Sequence, residues 1–136
     1  MPGNARRGLK PLEAALRLLG PLEGRIMRQV WSGAVTEPFV VRDIQRLLPD
    51  LAYTTLMTTL NRLADKEILK VTPIAGQRAY VYTSPMDAEG FVRWSSRREA
   101  ERMIKRYGDI ALATFADRLD RLPEAARERL RRLTRE

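Results

Sequence analysis

The sequence predicts a mainly α-helical protein with a small β-hairpin wing, an α+β chain built as a winged helix-turn-helix followed by a helical region. Three observations carry this reading. Apolar residues recur at helical spacing over Pro21–Ser32, Val41–Leu48 and Leu51–Lys66. Two short runs, Leu69–Thr72 and Arg78–Tyr82, flank the turn Ile74-Ala75-Gly76-Gln77, where Gly76 supplies the left-handed backbone such a turn often needs. Beyond Thr83-Ser84-Pro85 the pattern is helical to the end of the chain.

Each element has its own justification. Residues 1–10 hold Pro2, Gly3, Gly8 and three basic residues with little apolar content, a composition that disfavours a packed structure. From Pro11 the run PLEAALRLL places Leu12, Leu16 and Leu19 on one face. Gly20 suits a helix end and Pro21 a new first turn. The helix Pro21–Ser32 should bury Leu22, Ile26 and Val30, with Met27 and Trp31 on the flank. After a loop over Gly33–Pro38, Phe39 and Val40 form a strand stub. Val41–Leu48 should bury Val41, Ile44, Leu47 and Leu48 before Pro49-Asp50 ends it. Later helices are expected over about Asp87–Tyr107, Asp109–Leu119 and Pro123–Thr134, with Gly108 as a break. The expected organisation is an N-terminal arm over 1–18, partly disordered, a winged-helix unit over 19–84 and a helical unit over 85–136.

Composition narrows the chemistry. With 44% apolar residues, the 136-residue chain can build a core, and no stretch approaches the roughly 20 apolar residues of a membrane span. The start MPGNARRGLK lacks the apolar segment of a secretory signal, so a cytoplasmic protein is expected. There is no cysteine and no histidine, which removes disulfides, thiolate chemistry, most zinc sites and the usual acid–base residue. No glycine-rich phosphate loop or GxSxG elbow occurs. Asp117 and Asp120 share a helix flank, but nothing adjoins them to make a site. No enzyme activity, metal or cofactor is expected. The net charge of +8 divides as +5 over residues 1–84 and +3 over 85–136. Such a surplus attracts nucleic acid or an anionic membrane, or simply keeps the chain soluble.

The helix from Leu51 is the most informative element. At about 100° per residue, Leu56, Leu60 and Leu63 form its core face. Thr54, Thr58, Asn61 and Asp65 fall opposite, with Thr55 and Arg62 on one edge and Met57 on the other. Short hydroxyl side chains let a helix sit deep in the DNA major groove. Threonine hydroxyls can bond phosphates and their methyls can touch thymine methyls. Asn61 can pair with adenine, and Arg62 with guanine or a phosphate. Thr54 and Thr55 lie near the helix start, where free amides and the dipole favour phosphate. Lys70, Gln77 and Arg78 on the hairpin suit backbone or minor-groove contacts. Blander readings stand beside these: threonines as helix caps, Arg62 paired with Asp65, and a hairpin whose charges only discourage strand pairing. Four threonines within Thr54–Thr59 nevertheless weaken a merely solvated helix, because threonine is a mediocre helix former.

Together these residues resemble the penicillinase-repressor family (BlaI/MecI, with its copper-responsive branch). The carrying motifs are Leu19-Gly20-Pro21-Leu22-Glu23, Ile26-Met27, Val30-Trp31 and Val41-Arg42-Asp43-Ile44. Then come the specific stretch AYTT-x-MTT-x-x-RL from Ala52, Lys66-Glu67-Ile68-Leu69, and Arg78-Ala79-Tyr80-Val81-Tyr82. The likeness runs from about Leu19 to the end. It implies a homodimeric, nucleoid-associated transcriptional repressor that binds palindromic operators, often with TACA/TGTA-type half-sites. On that basis the candidate DNA contacts are Thr54, Thr55, Met57, Thr58, Asn61, Arg62, Arg42, Lys70, Gln77 and Arg78. It also implies dimerisation through the C-terminal helices, with Phe91, Trp94, Met103, Ile104, Tyr107, Ala111, Phe115, Leu119, Leu130 and Leu133 as candidates. Independently, that apolar set is large for some 50 residues, which make a thin core alone. The alternative is that these helices fold back on the winged unit. The copper branch's cysteine pairs are absent. So is the Asn-Phe junction at which sensor-protease-controlled members are cut; Ala116-Asp117 stands near its place. Neither the inducing signal nor a sensor-protease or small-molecule partner can be named from the sequence. The competing functional class is a winged-helix protein-interaction module without specific DNA readout.

Overall fold

A computed structural model describes residues 10–134. The expectation of disorder over residues 1–10 lies almost wholly outside them. The chain forms two compact units, one running to Arg93 and the other from Trp94 onward. The first unit contains α1 (Pro11–Leu16), α2 (Pro21–Trp31), α3 (Val41–Leu47), α4 (Tyr53–Asp65), β1 (Lys70–Pro73) and β2 (Tyr80–Thr83). It also takes the first turns of α5 (Ala88–Tyr107), so the division falls inside that helix and not at Ser84. The second unit holds the rest of α5, α6 (Asp109–Asp120) and α7 (Glu124–Thr134). The order helix, helix, helix, hairpin is a winged helix-turn-helix.

The core of the first unit follows from the apolar periodicity. Ile26 and Met27 from α2, Ile44 from α3, and Leu56, Leu60 and Leu63 from α4 are sealed from solvent, with Phe39 and Tyr82. Each such side chain contributes roughly 1.5–3 kcal/mol by leaving water. The hairpin pairs Lys70 with Thr83, Val71 with Tyr82, Thr72 with Val81 and Pro73 with Tyr80. The Phe39 stub docks on the hairpin: Phe39 N–H donates to Tyr82 C=O at 3.0 Å, and Tyr82 N–H returns to Phe39 C=O at 2.8 Å. Their rings stack with centroids 5.7 Å apart. α1 is part of this unit: Ala15 is fully buried, and Glu13 pairs with Arg28 of α2 at 3.1 Å.

The ends of α4 are set locally. Ala52 is its N-cap and offers no side-chain bond, so Thr54 and Thr55 lie inside the first turn and do not cap it. At the other end Glu67 N–H donates to Ala64 C=O at 3.0 Å and Ile68 N–H to Leu63 C=O at 2.9 Å. That is a Schellman closure, with Glu67 at φ 66° where glycine is usual. In the wing turn Gly76 has φ 74°, the left-handed conformation its sequence position demands.

Several expectations need correction. Leu22 is 37% exposed and Leu47 39% exposed, although both were placed in buried stripes. Leu22 sits in the first turn of α2, past the edge of the core; Leu48 at the α3 C-cap is buried as expected, and Leu47 beside it is not. The strands begin one or two residues later than the β-prone runs, which leaves Arg78 in the connecting turn.

The second unit is thin. Among its described residues only Ala111 is buried, while Ile104, Tyr107, Ile110, Leu112, Phe115, Leu119 and Leu133 are exposed. α7 is laced by Arg131 to Glu124 and Glu128, at 3.2 and 2.6 Å. Exposed ion pairs of this kind contribute little, so they do not replace a core.

Candidate nucleic-acid interface

The interface is assembled around α4, which α2 braces at both ends. Arg25 of α2 makes two hydrogen bonds, each 2.8 Å, to the Asp50 carboxylate in the turn entering α4. These bonds hold the Asp50 carboxyl below its ordinary value of 3.8. At the far end the Lys66 ammonium reaches the nearly buried Glu23 carboxylate of α2 at 2.8 and 3.1 Å. α3 is fixed by a reciprocal cap: Val40 N–H donates to Asp43 Oδ2 at 2.9 Å and Asp43 N–H to Val40 C=O at 3.0 Å. Arg42 then lies over the Tyr53 ring, 5.6 Å from its centroid, at the start of α4.

On this frame Thr54, Met57, Thr58, Asn61 and Arg62 are exposed and Thr55 is half-buried. Thr54, Thr55, Thr58 and Arg62 line a shallow depression of about 280 Å³ with Thr59 and Leu22. Thr59 is buried and spends its hydroxyl on Thr55 C=O at 2.8 Å, so it lines the depression without a free donor. No ion pair joins Arg62 to Asp65 among the described residues, and the guanidinium stays on the open side. Because the cap of α4 is Ala52, the amide groups of its first turn have no side-chain acceptor. Lys70, Gln77 and Arg78 are exposed on the wing.

Two features of this site were missed in the sequence. Leu22 joins the depression from α2, an adjacency that no wheel of α4 can reveal. Asn61 is held by the wing: the Tyr82 hydroxyl donates to its Oδ1 at 3.4 Å. Burial, with smaller contributions from Tyr53 and Tyr80, pushes the Tyr82 phenol above its usual value, so it remains a donor.

The candidate dimerisation set is also rearranged. Phe91 is 3% exposed, with its ring centroid 5.2 Å from that of Trp31, whose Nε1 donates to Met86 C=O at 3.1 Å. Phe91 is therefore a core residue of the first unit, contrary to its expected place in a dimer interface. Ala111 is buried as well. Ile104, Tyr107, Phe115, Leu119 and Leu133 are exposed, and Met103, Trp94 and Leu130 are intermediate. Ile110 and Leu112, absent from the candidates, are exposed too, Ile110 the most of any large apolar side chain described, at 73%.

A hairpin flanking a helix-turn-helix, with a hydroxyl-rich outward face on the second of its helices, defines a winged-helix protein. Within that class the chain belongs to the penicillinase-repressor family, whose sequence profile matches residues 19–136. It is similar to the transcriptional regulator BlaI of Mycobacterium tuberculosis, at 46% identity over 72 residues, 51% of this chain and 49% of that protein. The same likeness holds for BlaI from a second strain. The chain thus matches about half the length of these curated relatives. Among solved structures, a MarR/EmrR family transcriptional regulator from Acinetobacter sp. ADP1 aligns with 86% of this chain and 72% of its own, at 19% identity and a TM-score of 0.43. No described helix is long and apolar enough to cross a membrane.

Proposed function

We propose that the protein is a homodimeric transcriptional repressor that binds palindromic operator DNA in the cytoplasm. α4 enters the major groove, and the wing from Lys70 to Thr83 lies against the flanking backbone. The observation that carries this reading is the open face of α4: Thr54, Thr58 and the unpaired Arg62 guanidinium are gathered on one surface, while the opposite face is sealed. The first-turn amides of α4, which no side chain caps, would take a phosphate at the start of the helix. The net charge of +8 supplies the long-range attraction. Pairing through the second unit would cover its exposed apolar side chains and place two α4 helices on successive turns of one groove face, roughly 34 Å apart.

Selection of bound fragments from genomic DNA, followed by affinity measurement over a salt series, tests the reading. Recovery of one inverted-repeat motif and a steep fall in affinity with salt are expected. Arg62→Ala should weaken binding to that motif by about 1–3 kcal/mol if the guanidinium meets a base edge. Lys70→Ala should weaken selected and unrelated duplexes alike and flatten the salt slope by about one phosphate contact. Retention on DNA that ignores both sequence and salt would instead favour a protein-binding role for this face.

A further inference from the structure

We propose that the α4 face reads operator DNA chiefly through thymine 5-methyl groups, with Met57 and Leu22 as the apolar readers. The proposal rests on the DNA-binding reading above and names the base feature recognised there.

The outward strip of this surface has a defined order. By helical spacing Met57 lies on the edge of α4 away from Thr55 and Arg62, Thr54 and Thr58 run along the middle, and Leu22 of α2 lines the same depression as both threonines. Met57 and Leu22 are each 37% exposed. Neither can donate or accept a useful hydrogen bond, so neither can discriminate bases by the donor–acceptor code. The thymine methyl is the one apolar feature on a base edge in the major groove of unmodified DNA, and an apolar side chain there reads it by removing it from water.

The hydrogen-bonding alternatives on the strip are few. A two-bond pairing of asparagine with adenine needs Oδ1 to accept from N6–H and Nδ2 to donate to N7. Here one side of Asn61 Oδ1 faces the hydroxyl of Tyr82 in β2 at 3.4 Å, which restricts how the carboxamide can turn toward a base. Asp65, late in the helix, repels phosphate and can only accept, from the amino group of cytosine or adenine. Arg62, Asn61 and the threonine hydroxyls serve polar contacts, and the apolar side chains at both edges are left for methyl groups.

The test uses the full chain and a duplex selected from a random-sequence pool, remade with deoxyuridine at one thymine at a time, which deletes only the methyl. At two or more positions the affinity should fall about fourfold, the burial of one methyl group. Met57→Ala should bind the thymine and uracil versions of one such position alike, and Leu22→Ala should do so at another. Met57→Leu, which keeps the apolar bulk, should retain the penalty; Met57→Gln takes the place of the alanine variant if that one loses helical circular dichroism. Asn61→Ala should leave every thymine penalty in place. Selective binding with no uracil penalty beyond about twofold at any position overturns the apolar readout while the repressor reading stands. Uracil penalties that persist in all the Met57 and Leu22 variants overturn the assignment to these residues. Absence of any sequence-selective binding overturns both readings together.

Discussion

Glu67 occupies a backbone position that an L-residue enters at a cost of roughly 1–2 kcal/mol. Its φ of 66° is required by the two hydrogen bonds that close α4, and these bonds lead the chain directly into Ile68, Leu69 and the wing. Glu67→Gly should therefore stabilise the protein by about 0.5–1 kcal/mol, less than the full strain because glycine also frees the unfolded chain. Urea denaturation checks this, and a lower midpoint in the variant would mean that the Glu67 side chain contributes more than its backbone costs. Tyr82 gives a second prediction at this scale. Its pKa is raised above 10.0 chiefly by burial, so the neutral form is favoured in the folded state. The resulting stability is complete below the unfolded value and is lost as pH rises from there through the folded one. In an alkaline absorbance titration Tyr82 should appear as a late-ionising tyrosine, above its usual value of 10.0. That late step should be missing from Tyr82→Phe. The contrast between these residues and the threonines shows what a sequence can disclose. The outward set of α4 follows from helical spacing, because a wheel needs only one element. The tether on Asn61 and the intrusion of Leu22 depend on which other element returns to the helix, and spacing along one element holds no trace of that.

At the scale of elements, α2 acts as a brace for α4, with one ion pair at each end of the contact. The Arg25–Asp50 pair is exposed on both sides and so makes a small contribution to stability, but it restrains the turn that sets where α4 begins. Hydrogen bonds from Arg25 come first among the causes that lower the Asp50 pKa. A carboxyl with a lowered folded pKa binds more protons when unfolded over the interval between the two values. Its stabilisation is therefore full above the unfolded value and fades as pH falls through 3.8 toward the folded one. The difference in stability between the parent and Asp50→Asn should be flat above about pH 5 and shrink on the acid side. A difference that grows on acidification would show that Asp50 carries no such linkage. The order of helices and hairpin was legible because each has its own period, its own breaker and its own turn residue. The limits of α3 and of the strands were less so: burial at a helix end depends on neighbours, and of the adjacent Leu47 and Leu48 only Leu48 is buried.

The whole molecule presents an imbalance between its two units. The first closes a core around fully buried side chains from α2, α3, α4 and the hairpin, while the second leaves almost every large apolar side chain in contact with water. Leu112, Phe115 and Leu119 fall at i, i+3 and i+7 on α6, a continuous stripe of the kind that a partner helix covers. Exposed apolar area on this scale marks an association surface, and a symmetric pair is the commonest way to close one. Phe115→Glu combined with Leu119→Glu would place two carboxylates in that stripe, and neither residue belongs to the core of the winged unit. Sedimentation should show the parent as a dimer and the double variant as a monomer at micromolar concentration. Operator affinity should fall by at least about tenfold, because two half-sites can no longer be held by one particle. Affinity for an isolated half-site should be unchanged, since α4 and the wing are untouched. A variant that still sediments as a dimer would move the pairing surface away from this stripe, toward Ile104, Tyr107 and Ile110, whose exposed side chains would then have to supply the contact.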